Sequence, residues 1–392
     1  MNTLNLSPLD PAFVQDPYPA YEAARARGPV LFWKDYGMLA AFDAATVHAL
    51  LRDRRLGRER PTPAAYAPHL AHWAKIEAHS MLELEPPSHS RLRGLVLRAF
   101  TSRRIANLQP DIKQITAALL DDLPSDGPFD LIPHFCTQLP VRIIARLLGV
   151  PEDIWPDLLR WSNTMVAMYM AGRNRATEDA AEAATAEFAT FLHGYIDLRR
   201  GTPGDDLISE LIAAETHGDK LSTDELISTC ILLLNAGHEA TVHALGNAVK
   251  SLLEHETAPL SLAPHNIAAT VEELLRFDPP LHVFTRFAYE DIDLEGVTLK
   301  KGEEIALVLG AVGRDPDVHV LPDLFNPARP GRPHAAFGGG LHFCVGAPLA
   351  RLELQLALPA LFAHLPGMKL AEKPRYASTY HFHNLDRLMI TA

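Results

Sequence analysis

The sequence predicts a mainly α fold with a small β-sheet region, and two observations support this prediction. Helix start signals precede apolar stretches in several separate parts of the 392-residue chain. One segment, residues 292–309, instead alternates apolar and polar side chains around glycines, as short antiparallel strands do. The composition, 47% hydrophobic and 21% charged, is that of an ordinary globular protein. Since no linker or repeat divides the chain, we expect residues 1–392 to form a single domain.

The first of these helices follows a pair of prolines. Pro86 and Pro87 end the preceding segment, and Ser88 offers an N-cap for a helix that follows. His89 and Arg93 are four residues apart, so they project from one face of that helix. A histidine and an arginine on one face can bind a carboxylate together, or they can form an ordinary surface pair.

The longest predicted helix starts at a capping box, in which Ser222 caps the helix and Glu225 reaches back to the cap. The residues that follow, Ile227 to Leu234, are almost entirely apolar. We therefore expect this helix to be buried on all sides. It continues past Lys250.

The middle of this helix carries glycine and a carboxylate in an apolar setting. Gly237 costs about 1 kcal/mol relative to alanine, and it permits a close approach or a local bulge. Glu239 needs a solvent path, a partner or a functional role, because an isolated buried carboxylate is costly. His238 and His243 do not form a zinc pair, since that motif spaces its two histidines four residues apart and these are five apart.

A third helical segment, Val271–Arg276, contains Glu273 and Arg276 three residues apart. Such a pair is typically an exposed salt bridge worth about 0.2–0.5 kcal/mol. The neighbouring side chains are apolar, however, which favours burial. Removing one partner of a buried ion pair costs about 3–5 kcal/mol.

The run from Phe337 to Gly346 places Cys344 in a glycine-rich turn directly before a helix start signal that contains Pro348. A cysteine at a helix N-terminus has a lowered pKa. We therefore expect the Cys344 sulfur to be a thiolate. A thiolate in a tight glycine loop is suited to bind haem iron as an axial ligand, whereas the alternative is a buried free cysteine in a turn.

This run resembles the haem-ligand loop of the cytochrome P450 family, the haem-thiolate monooxygenases, and it matches that loop at every fixed position. Three other segments resemble motifs of this family: the propionate-binding helix at His89, the oxygen-activation helix at Gly237 and the Glu-x-x-Arg helix at Glu273. The resemblance implies the cytochrome P450 fold. This is a triangular, mainly helical domain that holds haem b between the long helix and the helix after Cys344.

The resemblance also implies roles for individual residues. Cys344 would be the axial metal ligand. The groups that would bind the haem propionates are His89, Arg93, Arg286 and His342. The other residues that would contact the haem are Phe337, Gly338, Gly346, Ala236 and Gly237. Arg329 would complete an ion-pair triad with Glu273 and Arg276. The positions implied for proton transfer to O2 are Glu239, Ala240 and Thr241.

One of these positions departs from the family pattern, because Ala240 stands where the family has its first threonine. Three interpretations stay open. In the first, a substrate hydroxyl takes the place of the missing threonine hydroxyl, as in some macrolide-type members. In the second, Thr241 or a water takes that place. The third is an enzyme that is poorly coupled or that catalyses something other than plain hydroxylation. We favour the first two jointly.

The implied function is O2-dependent hydroxylation or a related oxidation of a small, mostly apolar organic molecule. Because no flavin or iron–sulfur segment is evident, we expect NAD(P)H electrons to arrive through a separate ferredoxin and its reductase. One alternative is a haem-thiolate enzyme that uses peroxide or rearranges its substrate. A less favoured alternative is a haem-based ligand-binding protein, which would need a second domain to read out binding.

The net charge of −12 argues against general nucleic-acid binding. A local basic cluster comprises Arg91, Arg98, Arg103 and Arg104. It is either a solvated helix face or, as we favour, a docking patch for an acidic ferredoxin. Three cysteines without a disulfide pattern, no signal peptide and no apolar run near the ~18 residues of a membrane span predict a cytoplasmic protein. We expect it to be a monomer.

The substrate cavity is predicted only in outline. Residues 60–86 resemble a long loop, which in a compact domain is often functional. The segment Trp161–Met170 is rich in methionine and aromatic residues. Such a stripe is more often found in a core than at a ligand site. In family members, the positions of Phe284 and of His381–His383 often contact substrate.

Overall fold

The computed structural model describes residues 2–62, 65–170, 173–216, 219–256, 259–331, 333–379 and 381–391. Over these residues the chain is mainly helical with small sheets, which confirms the predicted fold class. The α-helices are α1 (Pro11–Gln15), α2 (Tyr18–Arg25), α3 (Ala44–Leu50), α4 (Ala71–Glu77), α5 (Ser88–Ala99), α6 (Ser102–Asn107), α7 (Gln109–Asp121), α8 (Gln138–Leu148), α9 (Trp155–Val166), α10 (Arg175–Gly201), α11 (Leu207–Ala213), α12 (Thr223–Glu254), α13 (Ile267–Phe277), α14 (Leu309–Val312) and α15 (Ala347–His364).

Short strands and helical turns connect the helices. The strands are β1 (Thr3–Leu4), β2 (Val30–Trp33), β3 (Met38–Ala41), β4 (Leu56–Gly57), β5 (Phe129–Asp130), β6 (Glu215–Thr216), β7 (Asp219–Lys220), β8 (Val283–Ala288), β9 (Ile292–Leu294), β10 (Val297–Leu299), β11 (Glu304–Val308), β12 (Lys369–Leu370), β13 (Arg375–Tyr376), β14 (Leu385–Arg387) and β15 (Met389–Thr391). The helical turns are a π-type turn at Ile132–Cys136 and 3₁₀ turns at Glu152–Ile154, Ala167–Tyr169, Pro259–Leu262 and Gly340–His342.

The largest sheet has the order β1-β2-β3-β11-β8-β4. Strand β11 pairs antiparallel with β8 and parallel with β3, so it lies in the middle of the sheet. The register places Arg286 of β8 opposite Ile305 of β11. This register fixes the backbone position of an arginine that the sequence implicated in propionate binding.

The predicted antiparallel strands within residues 292–309 are confirmed. Strands β9 and β10 pair antiparallel, with Val297 opposite Leu294. The two residues between them, Glu295 and Gly296, have φ values of 54° and 86°. Two successive residues with positive φ form the tight hairpin turn that suits the right-handed twist of the flanking strands.

Helix α12 is central to the helical part and packs against α4, α8, α9, α10, α13 and α15. Its predicted capping box is present, since the Ser222 side chain accepts from the Glu225 N–H and the Glu225 carboxylate accepts from the Ser222 N–H. The largest hydrophobic cluster runs from Leu70 to Ile390 and includes this helix. Among the described residues, no helix is both long and apolar enough to cross a bilayer.

Two local predictions are wrong. Ser88 is the first residue of α5 and not its N-cap, because the cap position belongs to Pro87, which follows a cis peptide bond. The stretch 60–86, predicted as a loop, contains helix α4, which buries Trp73 and Ile76 and packs against α10.

The interpretation of the stripe Trp161–Met170 as part of the core agrees with the position of Trp161. This residue is buried and stacks on Phe188 with ring centroids 5.1 Å apart.

Candidate active site

Helix α12 has one accessible face in its otherwise buried middle. Between Leu226 and Val249, the residues that are not buried are Leu232, Asn235, Ala236, Gly237, Glu239, Ala240 and His243. Steps of three and four residues place most of them along one side of a helix. We call this set the open face of α12. The predicted burial on all sides is therefore wrong for this one side.

The loop before α15 is built for a close backbone approach. Gly338 and Gly340 both have φ of 66°, a conformation that favours glycine. A Cβ atom on Gly340 would lie 2.1 Å from the carbonyl oxygen of Leu51, so a larger residue does not fit there. The Cys344 N–H donates to the Phe337 carbonyl at 3.0 Å and closes the loop. Cys344 is an exposed residue and forms no disulfide, so its thiol is free to bind a ligand.

Helix α15 begins directly after this loop, as predicted, but the predicted low pKa of Cys344 is wrong. Desolvation by neighbouring groups raises the pKa of the thiol. The N–H groups of Gly346 and Ala347 oppose this rise without cancelling it, and so do the charges of Arg93 and Arg351. The helix start alone therefore does not hold a thiolate. A bound metal cation deprotonates a coordinating thiol outright.

Two histidines meet beside the loop. His89 of α5 is 1% exposed, and neither of its ring nitrogens has a partner among the described residues. Its ring centroid lies 4.4 Å from that of His342, whose Nε2 is 2.8 Å from Glu85 Oε1. Burial and the charges of His342 and Arg93 lower the pKa of His89 to about 4. A buried polar side chain without a partner indicates a missing ligand or water.

Two arginines lie at the same site. Arg286 is 3% exposed, and its guanidinium donates to the Thr285 carbonyl at 2.8 Å. Burial and the nearby charge of Arg58 lower its pKa to about 10, which leaves it positive at neutral pH. Arg93 donates to the Phe343 carbonyl at 2.6 Å. This contact confirms that Arg93 shares a helix face with the histidine four residues earlier, since both reach the segment 342–343.

The predicted ion-pair triad is present and buried. Glu273 and Arg276 are 3% and 2% exposed and form two hydrogen bonds of 2.7 and 2.8 Å. Arg329 Nε lies 3.3 Å from the same carboxylate, and the Asn326 N–H donates to it at 2.7 Å. The guanidinium groups also donate to backbone carbonyls of residues 313–324. The triad thus ties α13 to the segment that leads into the cysteine loop.

Glu239 lies on the open face between two imidazoles. His243 Nε2 is 3.2 Å from Glu239 Oε1, and His238 Nε2 is 3.4 Å from Oε2. Burial raises the pKa of Glu239, but the hydrogen bond with His243 and the charges of His243 and His238 outweigh it, so the net pKa is lowered. The carboxylate is therefore ionised at neutral pH.

The neighbours of Glu239 divide between two faces of the helix. Ala240 belongs to the open face, whereas Thr241 is buried and donates its hydroxyl to the Gly237 carbonyl at 3.1 Å. Thr241 thus does not present its hydroxyl at the position that Ala240 leaves empty. The helix runs through Gly237 without a π-type bulge, and a Cβ there would lie 2.9 Å from the Ile144 side chain. Gly237 therefore allows close packing of α8.

The loop around Phe382 faces the end of the open face. The Phe382 ring contacts His243 edge to face, with centroids 5.2 Å apart. This loop is anchored by His383, whose Nδ1 is 2.8 Å from the buried Asp278 carboxylate. Tyr18 donates to the same carboxylate at 2.9 Å, and Tyr376 also donates to it. This hydrogen-bonded cluster holds Phe382 in place.

The basic cluster is only partly free. Arg91 pairs with Glu225, and Arg104 contacts Glu210 at 3.0 Å as well as a second carboxylate. Arg98 and Arg103 are exposed, and neither forms an ion pair within the described part of the chain. The positive surface is therefore narrower than four neighbouring arginines suggest.

Three groups at the site were not predicted. The Arg58 backbone N–H donates to the Glu85 carboxylate, Glu85 contacts His342, and the charge of Arg58 acts on Arg286. Neither Arg58 nor Glu85 belongs to a motif that the sequence analysis used. His243 was considered only as a zinc ligand with His238. Its spacing of four residues from Glu239 is the signal that would have identified this pair.

These features together fit a haem group. A free sulfur stands at a tight glycine loop, which suits an iron ligand. Two unpartnered nitrogens on His89 and a buried cationic Arg286 suit propionates. A family model described as "Cytochrome P450" matches residues 267–366. The chain is also 39% identical over 366 residues to vitamin D(3) 25-hydroxylase of Pseudonocardia autotrophica, an alignment that covers 92% of this chain and 89% of that protein.

The chain belongs to the cytochrome P450 family. This P450 is 36% identical over 374 residues to 6-deoxyerythronolide B hydroxylase of Saccharopolyspora erythraea, covering 92% of this chain and 91% of that protein. Its structure is similar to the crystal structure of P450BioI in complex with hexadec-9Z-enoic acid ligated acyl carrier protein. The TM-score is 0.91 with 34% identity, and the match covers 98% of this chain and 100% of that one.

The predicted enzyme class is thereby confirmed. The protein is a haem-dependent monooxygenase that oxidises a small organic substrate. Its cofactor is haem, O2 is its co-substrate, and NAD(P)H electrons reach it through partner proteins.

Proposed function

We propose that this P450 hydroxylates or otherwise oxidises a small, mostly apolar substrate next to a haem b held between α12 and α15. The observation that carries the proposal is the free thiol of Cys344, an exposed residue at the glycine loop that precedes α15. A thiolate-ligated haem supplies an iron centre at which O–O bond cleavage is favoured. One sheet joins strands β1 to β4 of residues 3–57 to β8 and β11, and a hydrophobic cluster runs from Leu70 to Ile390; both support one haem-binding domain over residues 1–392.

The residues around this loop are proposed to hold the haem. His89, His342, Arg286 and Arg93 bind the propionates, because they bring unpartnered nitrogens and positive charge to one place. The backbone and side chains that enclose the ring are those of Phe337, Gly338, Gly346, Ala236 and Gly237. The glycine conformations on the loop and the accessibility of Ala236 support this arrangement.

Glu239 is proposed to carry protons to the reacting oxygen, since it is the ionised carboxylate on the open face of α12. Ala240 leaves that face without a hydroxyl. Because Thr241 is turned away, we propose that a substrate hydroxyl or an ordered water fills this place. A substrate that carries a hydroxyl group on an apolar skeleton would satisfy this requirement.

The relatives suggest candidate substrates. Their names refer to vitamin D(3) and to 6-deoxyerythronolide B, and one solved structure holds an acyl chain on a carrier protein. We propose to screen sterol-like, macrolactone and acyl substrates by the spin-state change that follows displacement of a water from the haem. A substrate of any one class that gives a saturable change and a hydroxylated product supports the proposal.

Electrons are proposed to come from a ferredoxin that docks near Arg98 and Arg103, while Arg91 and Arg104 border the contact. The exposure and unpaired charge of Arg98 and Arg103 support this patch. Reversing both charges should slow reduction by ferredoxin and weaken its salt dependence. We also propose a cytoplasmic location, since the three cysteines remain free thiols.

A second candidate function is peroxide-driven oxidation, which the missing hydroxyl at Ala240 favours. Turnover of one substrate with ferredoxin, reductase and NADH, and separately with hydrogen peroxide, distinguishes the two. Product formed only with the electron-transfer proteins supports the monooxygenase proposal. Product formed faster with peroxide alone would favour the second candidate.

A further inference from the structure

The open face of α12 carries a second titratable group that the proposed function leaves without a role. His243 lies one turn after Glu239 on the same face, and the two side chains are 12% and 18% exposed. It follows the position of Ala240, where the family hydroxyl is missing. From residue 236 to residue 243, Glu239 and His243 are the titratable side chains on this face.

The two imidazoles that contact Glu239 are not equivalent. His238 is fully buried, and its Nδ1 is 3.1 Å from the Leu234 carbonyl, which only accepts hydrogen bonds. Its Nε2 lies 3.4 Å from both Glu239 Oε2 and Asn163 Oδ1, so its contact with the carboxylate is long and is divided between two acceptors. Burial lowers the pKa of His238, so the doubly protonated ring is disfavoured.

His243 is therefore the principal donor to the carboxylate, because its contact is shorter. Its Nε2–H points at Glu239 Oε1 over 3.2 Å. The Phe382 ring packs edge to face against the imidazole, and Phe382 is held by the anchored loop that contains His383. The ring thus has a hydrogen bond on one side and an aromatic wall on another, which fixes its orientation.

We propose that His243 is a positioning residue for proton delivery: its Nε2–H orients the Glu239 carboxylate along the open face and keeps that carboxylate ready to accept a proton. This inference rests on the proposed role of Glu239. The charged or titratable groups that act on this carboxylate are His243 and His238 of α12. Two residues of other elements contact these histidines: Asn163 of α9 contacts His238, and Phe382 contacts His243.

The first test follows the protonation of Glu239 in the resting, haem-loaded protein without turnover. Infrared difference spectra recorded against pH identify the protonated Glu239 carboxyl as the band that is missing in Glu239→Gln. His243→Phe keeps an aromatic ring against Phe382 but removes the donor. We expect this variant to protonate Glu239 at a pH higher by about one unit or more, since a lost hydrogen bond to the charged form raises a pKa.

His243→Gln retains an N–H donor without an imidazole, so it should restore most of the wild-type titration. The matched control is His255→Gln, a histidine at the end of the same helix that contacts Ser251 and not Glu239. We expect this control to titrate as the wild type. An unchanged titration in His243→Phe would overturn the proposal, as would an equal shift in the control.

The second test measures the peroxide released and the product formed as NADH is consumed, with a surrogate ferredoxin and reductase. General acid–base groups contribute about 10²–10⁴ to a rate, so we expect the ratio of peroxide released to product formed to rise about tenfold or more in His243→Phe, with partial rescue in His243→Gln. The carbon monoxide spectrum confirms that each variant is folded and loaded. If Glu239→Gln leaves peroxide release unchanged, the proposed role of Glu239 fails. If Glu239→Gln raises it and His243→Phe does not, only the inference about His243 fails.

Discussion

The sharpest stability prediction concerns Glu273, because its replacement by alanine leaves two largely buried arginines without their carboxylate partner. The guanidinium groups of Arg276 and Arg329 both contact this carboxylate. The side chains of Arg276 and Glu273 are each 3% exposed, and that of Arg329 is 10% exposed. Removing one partner of a buried ion pair costs about 3–5 kcal/mol. Both arginines keep hydrogen bonds to backbone carbonyls, including Pro322 and Leu324, so we expect a loss of about 3 kcal/mol.

A loss of this size matters because a folded domain is stable by only about 5–15 kcal/mol. The segment that the triad holds, residues 313–329, leads directly into the cysteine loop, so we also expect Glu273→Ala to lose haem. The measurement is denaturant unfolding together with haem content per protein. The control is Asp291→Ala, which removes a solvent-exposed pair with Lys300, and exposed ion pairs contribute little to stability. Normal haem content and unchanged unfolding of Glu273→Ala would refute this reasoning.

Three further predictions follow from single contacts. His89→Leu removes the unpartnered nitrogens and should speed haem loss to apomyoglobin about tenfold or more, since a hydrogen bond to a charged group contributes about 1.5–3 kcal/mol. An unchanged rate would contradict the proposed role of His89 in binding a propionate. Ala240→Thr should leave peroxide release per NADH unchanged, and a large fall would instead indicate a poorly coupled enzyme. Burial and the charge of Glu83 raise the pKa of Glu77 to about 7, above its unfolded value. The folded contact between α4 and the 3₁₀ turn at Ala167–Tyr169 is therefore most stable while Glu77 is protonated, and it weakens as pH rises through 7, because the hydroxyl that Tyr169 donates only partly compensates the buried charge. Stopped-flow binding of imidazole should quicken over that range in the wild type and not in Glu77→Gln.

Local signals in the sequence predicted the helices and much of the site. The capping box at Ser222 works through neighbouring residues, and the spacing of His89 and Arg93 sets a shared helix face wherever the helix lies. The burial of Glu273 and Arg276 also followed from their apolar neighbours. These features depend on a few adjacent residues, so the sequence contains the information that determines them.

The features that depend on distant segments were not predictable in this way. Crowding by other parts of the fold raises the pKa of Cys344, and a helix start signal contains no information about that crowding. Arg91 and Arg104 are neutralised by carboxylates more than a hundred positions away, which narrows the basic patch. The side of α12 that forms the open face follows from how the helix packs, and this packing places Ala240 on the open face and buries Thr241.

The measurement that tests the central claim most directly is the carbon monoxide difference spectrum of reduced wild-type protein and of Cys344→Ser. Cys344 is proposed to be the residue whose sulfur would bind the haem iron. We expect the wild type to show the long-wavelength band that is typical of thiolate ligation and the variant to lose it. Wild-type protein that binds no haem, or a variant that keeps the same band, would contradict the account.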